Sequence, residues 1–144
     1  MTGRPDRVRR ELALGWLQKG DMDYAVAQTL MKSMPQAAGA IGFHLQQAAE
    51  KHLKAFLTLT GKQPPRTHDL QELRSMVAPL DRRLAEQTGA VAALNPFAVV
   101  YRYPGPEPTA SSDELEALGR GVRHLRETVA ARIDAEKNTE RPDA

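Results

Sequence analysis

The chain has 144 residues, no cysteine and a formal charge of +2 at pH 7. That length is enough for one domain with its own core, and the lack of cysteine excludes a disulfide scaffold and thiolate metal or redox chemistry. No apolar run approaches the roughly 20 residues of a membrane-spanning helix, and the arginine-rich start lacks the apolar stretch of a secretory signal, so a cytoplasmic chain with no membrane contact is expected.

Residues 1–6 read as a flexible N-terminus, and the first helix is predicted over 7–32, with Val8, Leu12, Trp16, Met22, Ala25, Val26 and Leu30 as its apolar face. Arg4, Arg7, Arg9, Arg10 and Lys19 outweigh Asp6 and Glu11 in this region, which leaves the rest of the chain without excess positive charge. A phosphate site elsewhere must therefore come from cations that folding brings together. Asp21, Asp23 and Tyr24 interrupt the apolar pattern and read as a solvated face. Pro35 fits a short connection to a second helix over 36–60. There Ile41, Leu45, Ala48, Ala49, Leu53 and Phe56 supply the apolar side, while His44, Gln47, Lys51, Lys54 and Thr58 recur at steps of three or four and share a direction. Gly61 and Pro64-Pro65 end that helix.

Thr67 is expected to cap a third helix carrying Leu70, Leu73 and Val77, within a local Thr67-His68-Asp69 network. Pro79 restarts or kinks the helix, and Leu80, Leu84, Val91 and Leu94 continue the buried positions. Residues 95–108, with Pro96, Pro104, Pro106 and Pro108, read as an ordered loop. Ser111 and Glu114 have the spacing of a capping box, and Leu115, Leu118, Val122, Leu125, Val129 and Ile133 mark the buried side of a last helix. Arg120, Arg123, Glu127 and Arg132 stay on its wet side, and 138–144 read as a flexible C-terminus. The expectation is all-α: a single antiparallel bundle of four or five helices over 7–137. Small residues such as Ala37, Ala38, Ala40, Ala48 and Ala49 permit close approach of a neighbour within the chain or in a second copy.

His68 and Asp69 are the other polar pair, either structural or an alternative place for proton transfer. The four histidines show no metal-ligand spacing. No glycine-rich phosphate loop, dinucleotide fingerprint or paired-carboxylate motif is present, so no metal and no cofactor are expected.

Trp16, the Asp21-to-Ala25 region, the run Phe43-His44-Leu45-Gln46-Gln47-Ala48-Ala49-Glu50-Lys51-His52-Leu53-Lys54-Ala55, Thr67-His68-Asp69-Leu70 and Tyr101-Arg102-Tyr103-Pro104 together resemble the HEPN family, the higher eukaryote and prokaryote nucleotide-binding domains, over about residues 12–133. The resemblance implies a helical bundle, homodimerisation, an association with nucleotide or RNA chemistry, and, by analogy with two-component systems, a minimal nucleotidyltransferase partner of the toxin-antitoxin kind. Many HEPN ribonucleases use an arginine followed shortly by a histidine. Arg102 resembles that arginine, but Tyr103-Pro104-Gly105-Pro106-Glu107-Pro108 follows it, and the next histidine is His124.

The expected function is therefore a noncatalytic accessory module with no catalytic residue. Arg102 and Tyr103 would hold a phosphate, with His44, Gln47, Lys51 and Lys54 lining the neighbouring helix. Two alternatives stand beside it: a metal-independent ribonuclease with His44 or His68 as the substitute proton-transfer residue, and a purely structural protein-interaction bundle.

Overall fold

The computed structural model describes residues 6–100 and 104–139, which form five α-helices and one 3-10 helix with no strand among them. α1 (Asp6–Ser33) and α2 (Ala38–Leu59) make a long antiparallel hairpin about the Pro35 turn, as a short interhelical connection requires. α3 (Leu70–Val77) and α4 (Arg82–Ala90) are short, the 3-10 helix spans Ala92–Val99, and α5 (Ser112–Thr139) completes the bundle. Asp6 already belongs to α1 and α5 runs on to Thr139, so each of the two long helices outruns the limits expected from the sequence.

α2 is the central element, packed against α1, α5, α3 and the 3-10 helix. Ile41, Leu45, Leu53 and Phe56 on α2 meet Val122, Leu125, Val129 and Ile133 of α5, Leu73 and Val77 of α3, and Leu84, Val91 and Leu94 in one continuous core. Enclosure on several sides also buries polar positions of α2: Gln46, Glu50, His52, Lys54 and Thr58.

The face of α1 differs from the expected one. Leu12 and Met22 are exposed, and the buried positions are Ala13, Leu17, Gly20 and Ala27. Ala13, Gly20 and Ala27 recur every seventh residue, a seam of small residues that lets the α2 backbone approach closely. Leu80, also expected inside, is exposed beside Pro79 in the turn between α3 and α4.

Caps account for the remaining boundaries. Asp69, not Thr67, is the N-cap of α3: its carboxylate accepts from the Gln71 N–H, while the Thr67 hydroxyl accepts from the Asp69 N–H. Asp81 caps α4 by accepting from the Leu84 N–H, so Pro79 marks a restart. The Ser111–Glu114 capping box forms in both directions. The expected loop over 95–108 is partly replaced by the 3-10 helix, which carries Pro96 within it and buries Phe97 against α2.

The Phe97 contact depends on Gly42, because a Cβ added there would overlap the ring. Gly42→Ala is expected to lower unfolding free energy by about 1–3 kcal/mol. Gly15→Ala, in the same fold but with open space around its Cβ position, should raise it by about 0.5–1 kcal/mol. Urea unfolding of both variants measures the contrast.

Candidate functional site

Folding α1 back on α2 about Pro35 places residues at similar sequence distances from the turn opposite one another. The two acids of the middle of α1 thereby meet the polar positions of α2. Asp23, with its side chain only 14% exposed, accepts from His44 Nδ1 at 2.9 Å and from Lys51 Nζ at 2.6 Å. What read as a solvated face of α1 is the acidic half of an interhelical ion network.

One turn further along, Glu50 is almost completely enclosed. Its carboxylate accepts from Lys54 Nζ (3.1 Å), Gln47 Nε2 (3.3 Å) and His68 Nδ1 (3.0 Å). Gln47 also donates to Gln46 Oε1, and Gln46 donates to the His68 carbonyl, so the connection between α2 and α3 is tied to α2 by both the backbone and the side chain of His68. Lys54 is buried, and its ammonium lies 5.6 Å from the centre of the Trp16 ring.

Asp21 joins three helices. It accepts from His52 Nε2 at 3.0 Å and from Arg126 Nε and Nη2, both at 3.0 Å, in a two-pronged pair with α5. Partial burial opposes its ionisation, but the hydrogen bonds and charge attraction of His52 and Arg126 outweigh it and hold its pKa at about 2. His52 itself lies against Gly20, and its burial depresses its pKa despite the bond to Asp21. A neutral ring that donates from Nε2 leaves Nδ1 as an acceptor, and that atom is buried without a partner.

The structure thus brings His44, Gln47, Lys51, Lys54 and His68 into one polar layer, where each is engaged by Asp23 or Glu50. Asp69 stands apart, capping α3 and accepting from Asn95 Nδ2. Lys54 is not the solvated lysine of a phosphate patch but the buried partner of Glu50. Arg102 and Tyr103 lie outside the described residues; Val100 and Glu107, on either side of them, both approach Gly39 in the first turn of α2. A Glu107 carboxylate at that end is favourably placed toward a helix that has neither a side-chain cap nor an acid of its own there. Sequence reasoning missed Asp21, Asp23, Glu50, His52 and Arg126. The hairpin geometry implied by Pro35 is the signal that pairs the first two with α2. No group of three or more His, Asp or Glu side chains suited to a metal ion occurs among the described residues.

Two consequences are measurable. Removing Glu50 strands the buried Lys54, so Glu50→Ala should cost about 3 kcal/mol or more in a urea titration, whereas Lys51→Ala, at a quarter-exposed site, should cost about 1 kcal/mol or less. The second concerns pH. The folded pKa of His52 lies below its ordinary 6.5, so as pH falls through that value the unfolded chain takes up a proton that the folded chain refuses. Stability should drop there, by at most about 1.4 kcal/mol per pH unit, until the folded ring protonates. The contribution of Asp21 is fully present above its unfolded 3.8 and disappears only as pH falls toward about 2. His52→Gln should therefore flatten the melting temperature profile just below neutrality and, because His52 is one of the two partners that hold the Asp21 carboxyl low, also weaken the acid limb, of which Arg126 keeps a part.

Among known proteins, neither the curated sequences nor the solved structures give a significant match. The model of the HEPN domain matches residues 13–133, the whole span from the first buried position of α1 to the last buried residue of α5. The chain belongs to the HEPN domain family, and it is an all-helical module of the nucleotide- and RNA-associated kind.

Proposed function

We propose that this chain is a noncatalytic HEPN accessory module. It recognises the phosphate of a nucleotide or RNA through Arg102, with Tyr103 adding a hydroxyl or aromatic contact, and it works as a homodimer beside a minimal nucleotidyltransferase. One observation carries the noncatalytic part. None of the three histidines of the polar layer, His44, His52 and His68, follows Arg102 in the sequence, and His52 is buried. A shuttle for cleavage needs a ring within reach of the scissile phosphate and free to exchange its proton. The residues that follow Arg102 supply no histidine before His124 on α5.

Guanidinium is suited to the binding role, because it keeps its charge at all relevant pH values and pairs with phosphate through two parallel N–H bonds.

The test is RNA cleavage and nucleotide binding by the purified chain and by Arg102→Ala, with EDTA present and contaminating nuclease excluded. The expected result is no cleavage by either protein and nucleotide affinity at least about tenfold weaker in the variant, the loss of one charge-assisted contact. EDTA-resistant cleavage that requires Arg102 and either His44 or His68 would establish a ribonuclease instead. Copurification with a coexpressed nucleotidyltransferase supports the partner, and a reconstituted pair that does not associate removes it.

A further inference from the structure

The charged side chains of α2 itself, Glu50, Lys51 and Lys54, all have opposite partners. Past the C-terminal end of α2 there is a pocket of about 320 Å³ lined by Trp16, Lys54, Thr58, Lys62, Gln63 and Arg66, with Leu12, Pro64 and Pro65 at its edges. Its lining has three cations and no acid. Lys54 is neutralised from behind by Glu50, while Lys62 and Arg66 have no carboxylate partner among the described residues.

Lys62 is not needed to satisfy the end of the helix. The Phe56 and Thr58 carbonyls accept from the Thr60 and Gly61 N–H groups, and the Leu57 carbonyl accepts from the Lys62 N–H and the Thr60 hydroxyl. Its side-chain charge is left over after capping.

Thr58 gives the second, independent sign. A helical threonine ordinarily satisfies its hydroxyl on the carbonyl four residues back, as Thr88 does on Leu84 at 2.8 Å. The Thr58 hydroxyl makes no hydrogen bond and has almost no accessible surface, while the residue, 9% exposed, forms part of the wall of this pocket. A buried donor without a partner, beside two unmatched cations, is an arrangement that an oxyanion completes.

We infer that this pocket is a binding site for a small phosphorylated ligand, its phosphate held by Lys62 and Arg66 beside Thr58 and its flat body laid against Trp16. The volume falls at the lower limit of small-molecule sites and suits one compact molecule rather than a polymer. The indole, already held by the Lys54 ammonium, offers a surface for a planar ring. The lining does not include Arg102, and Gly39, on which Val100 and Glu107 pack, is roughly 28 Å from Thr58 along the helix axis. The site therefore does not rest on the accessory-module reading.

Trp16 is the single tryptophan of the chain, so its fluorescence reports on this pocket alone. The experiment titrates the full chain with AMP, adenosine and inorganic pyrophosphate, against sodium chloride at matched ionic strength. AMP should change the emission saturably, pyrophosphate should displace it, and adenosine alone should bind at least about tenfold more weakly. A Lys62→Ala/Arg66→Ala double variant, altered only at exposed positions, should weaken AMP by at least about tenfold with an unchanged circular dichroism spectrum. Arg102→Ala should leave the Trp16 response unaltered, even where it weakens nucleotide binding that depends on Arg102. A response matched by sodium chloride, or one that survives the double variant, would overturn the assignment, as would adenosine binding as tightly as AMP. A titration abolished by Arg102→Ala would overturn the assignment and tie the ligand to Arg102 instead.

Discussion

Everything else in this bundle depends on the charges that its central helix has to bury. Glu50 sits midway along α2 with a side chain only 4% exposed, and a carboxylate so enclosed is tolerable only when its lone pairs are occupied by charged or strongly polar donors. Lys54 supplies one from the same helix, but His68 must come from the connection to α3. Asp23, 14% exposed, makes a similar demand between α1 and α2, and the more open Asp21 ties α1 to α2 and α5. The folded state thus requires the hairpin, the α2–α3 connection and the last helix to be in place together.

The small-residue seam of α1 and this ion network act on different aspects of the same packing. Ala13, Gly20 and Ala27 allow close approach, but a seam of small residues repeated every seventh position fits nearly as well after a slip along the axis. The acids remove that ambiguity. Sliding α1 by one turn, about 5.4 Å, would take Asp21 from His52 and Arg126 and Asp23 from His44 and Lys51, stranding polar groups in a half-buried layer. Gly20 has a part in both, since its lack of a side chain makes room for the His52 ring that reaches Asp21. Close approach and ionic register are met at one point of contact.

The parts of the fold legible in the sequence were those with strong local signals: the apolar faces of α2 and α5, the Ser111–Glu114 capping box, and the breaks at Gly61 and Pro79. The α1 face was misread because periodicity weights large side chains, and here the large ones, Leu12 and Met22, face outward while alanine and glycine form the contact. The 3-10 helix escaped because Asn95-Pro96 reads as a breaker; the tighter i to i+3 geometry admits Pro96, and burial of Phe97 against Gly42 fixes the segment. The ridge of His44, Gln47, Lys51 and Lys54 was visible as a shared direction, but its meaning was not. A polar stripe on an isolated helix faces water by default, and only the burial of α2 on several sides turns it inward. Asp69 was noted as polar, and its cap role follows from a local Asx geometry that the Thr67 alternative resembled.

Once the polar layer is understood as internal, the charges available for recognition are the ones it does not consume. His44, Lys51, Lys54, His68 and Arg126 are held by Asp23, Glu50 and Asp21, and pulling Lys54 toward a ligand would leave the enclosed Glu50 behind at a cost that a single phosphate contact does not offset. Lys62 and Arg66 carry no such obligation. Neither does the Thr58 hydroxyl, which has no hydrogen-bond partner in the fold. Chemistry-bearing residue types crowd the middle of α2, where they serve the fold, and recognition falls to the sparser groups beyond its end. A cation matters for binding here to the extent that folding has left it unmatched, and by that criterion the pocket beside Trp16 ranks above the ridge that dominates the sequence.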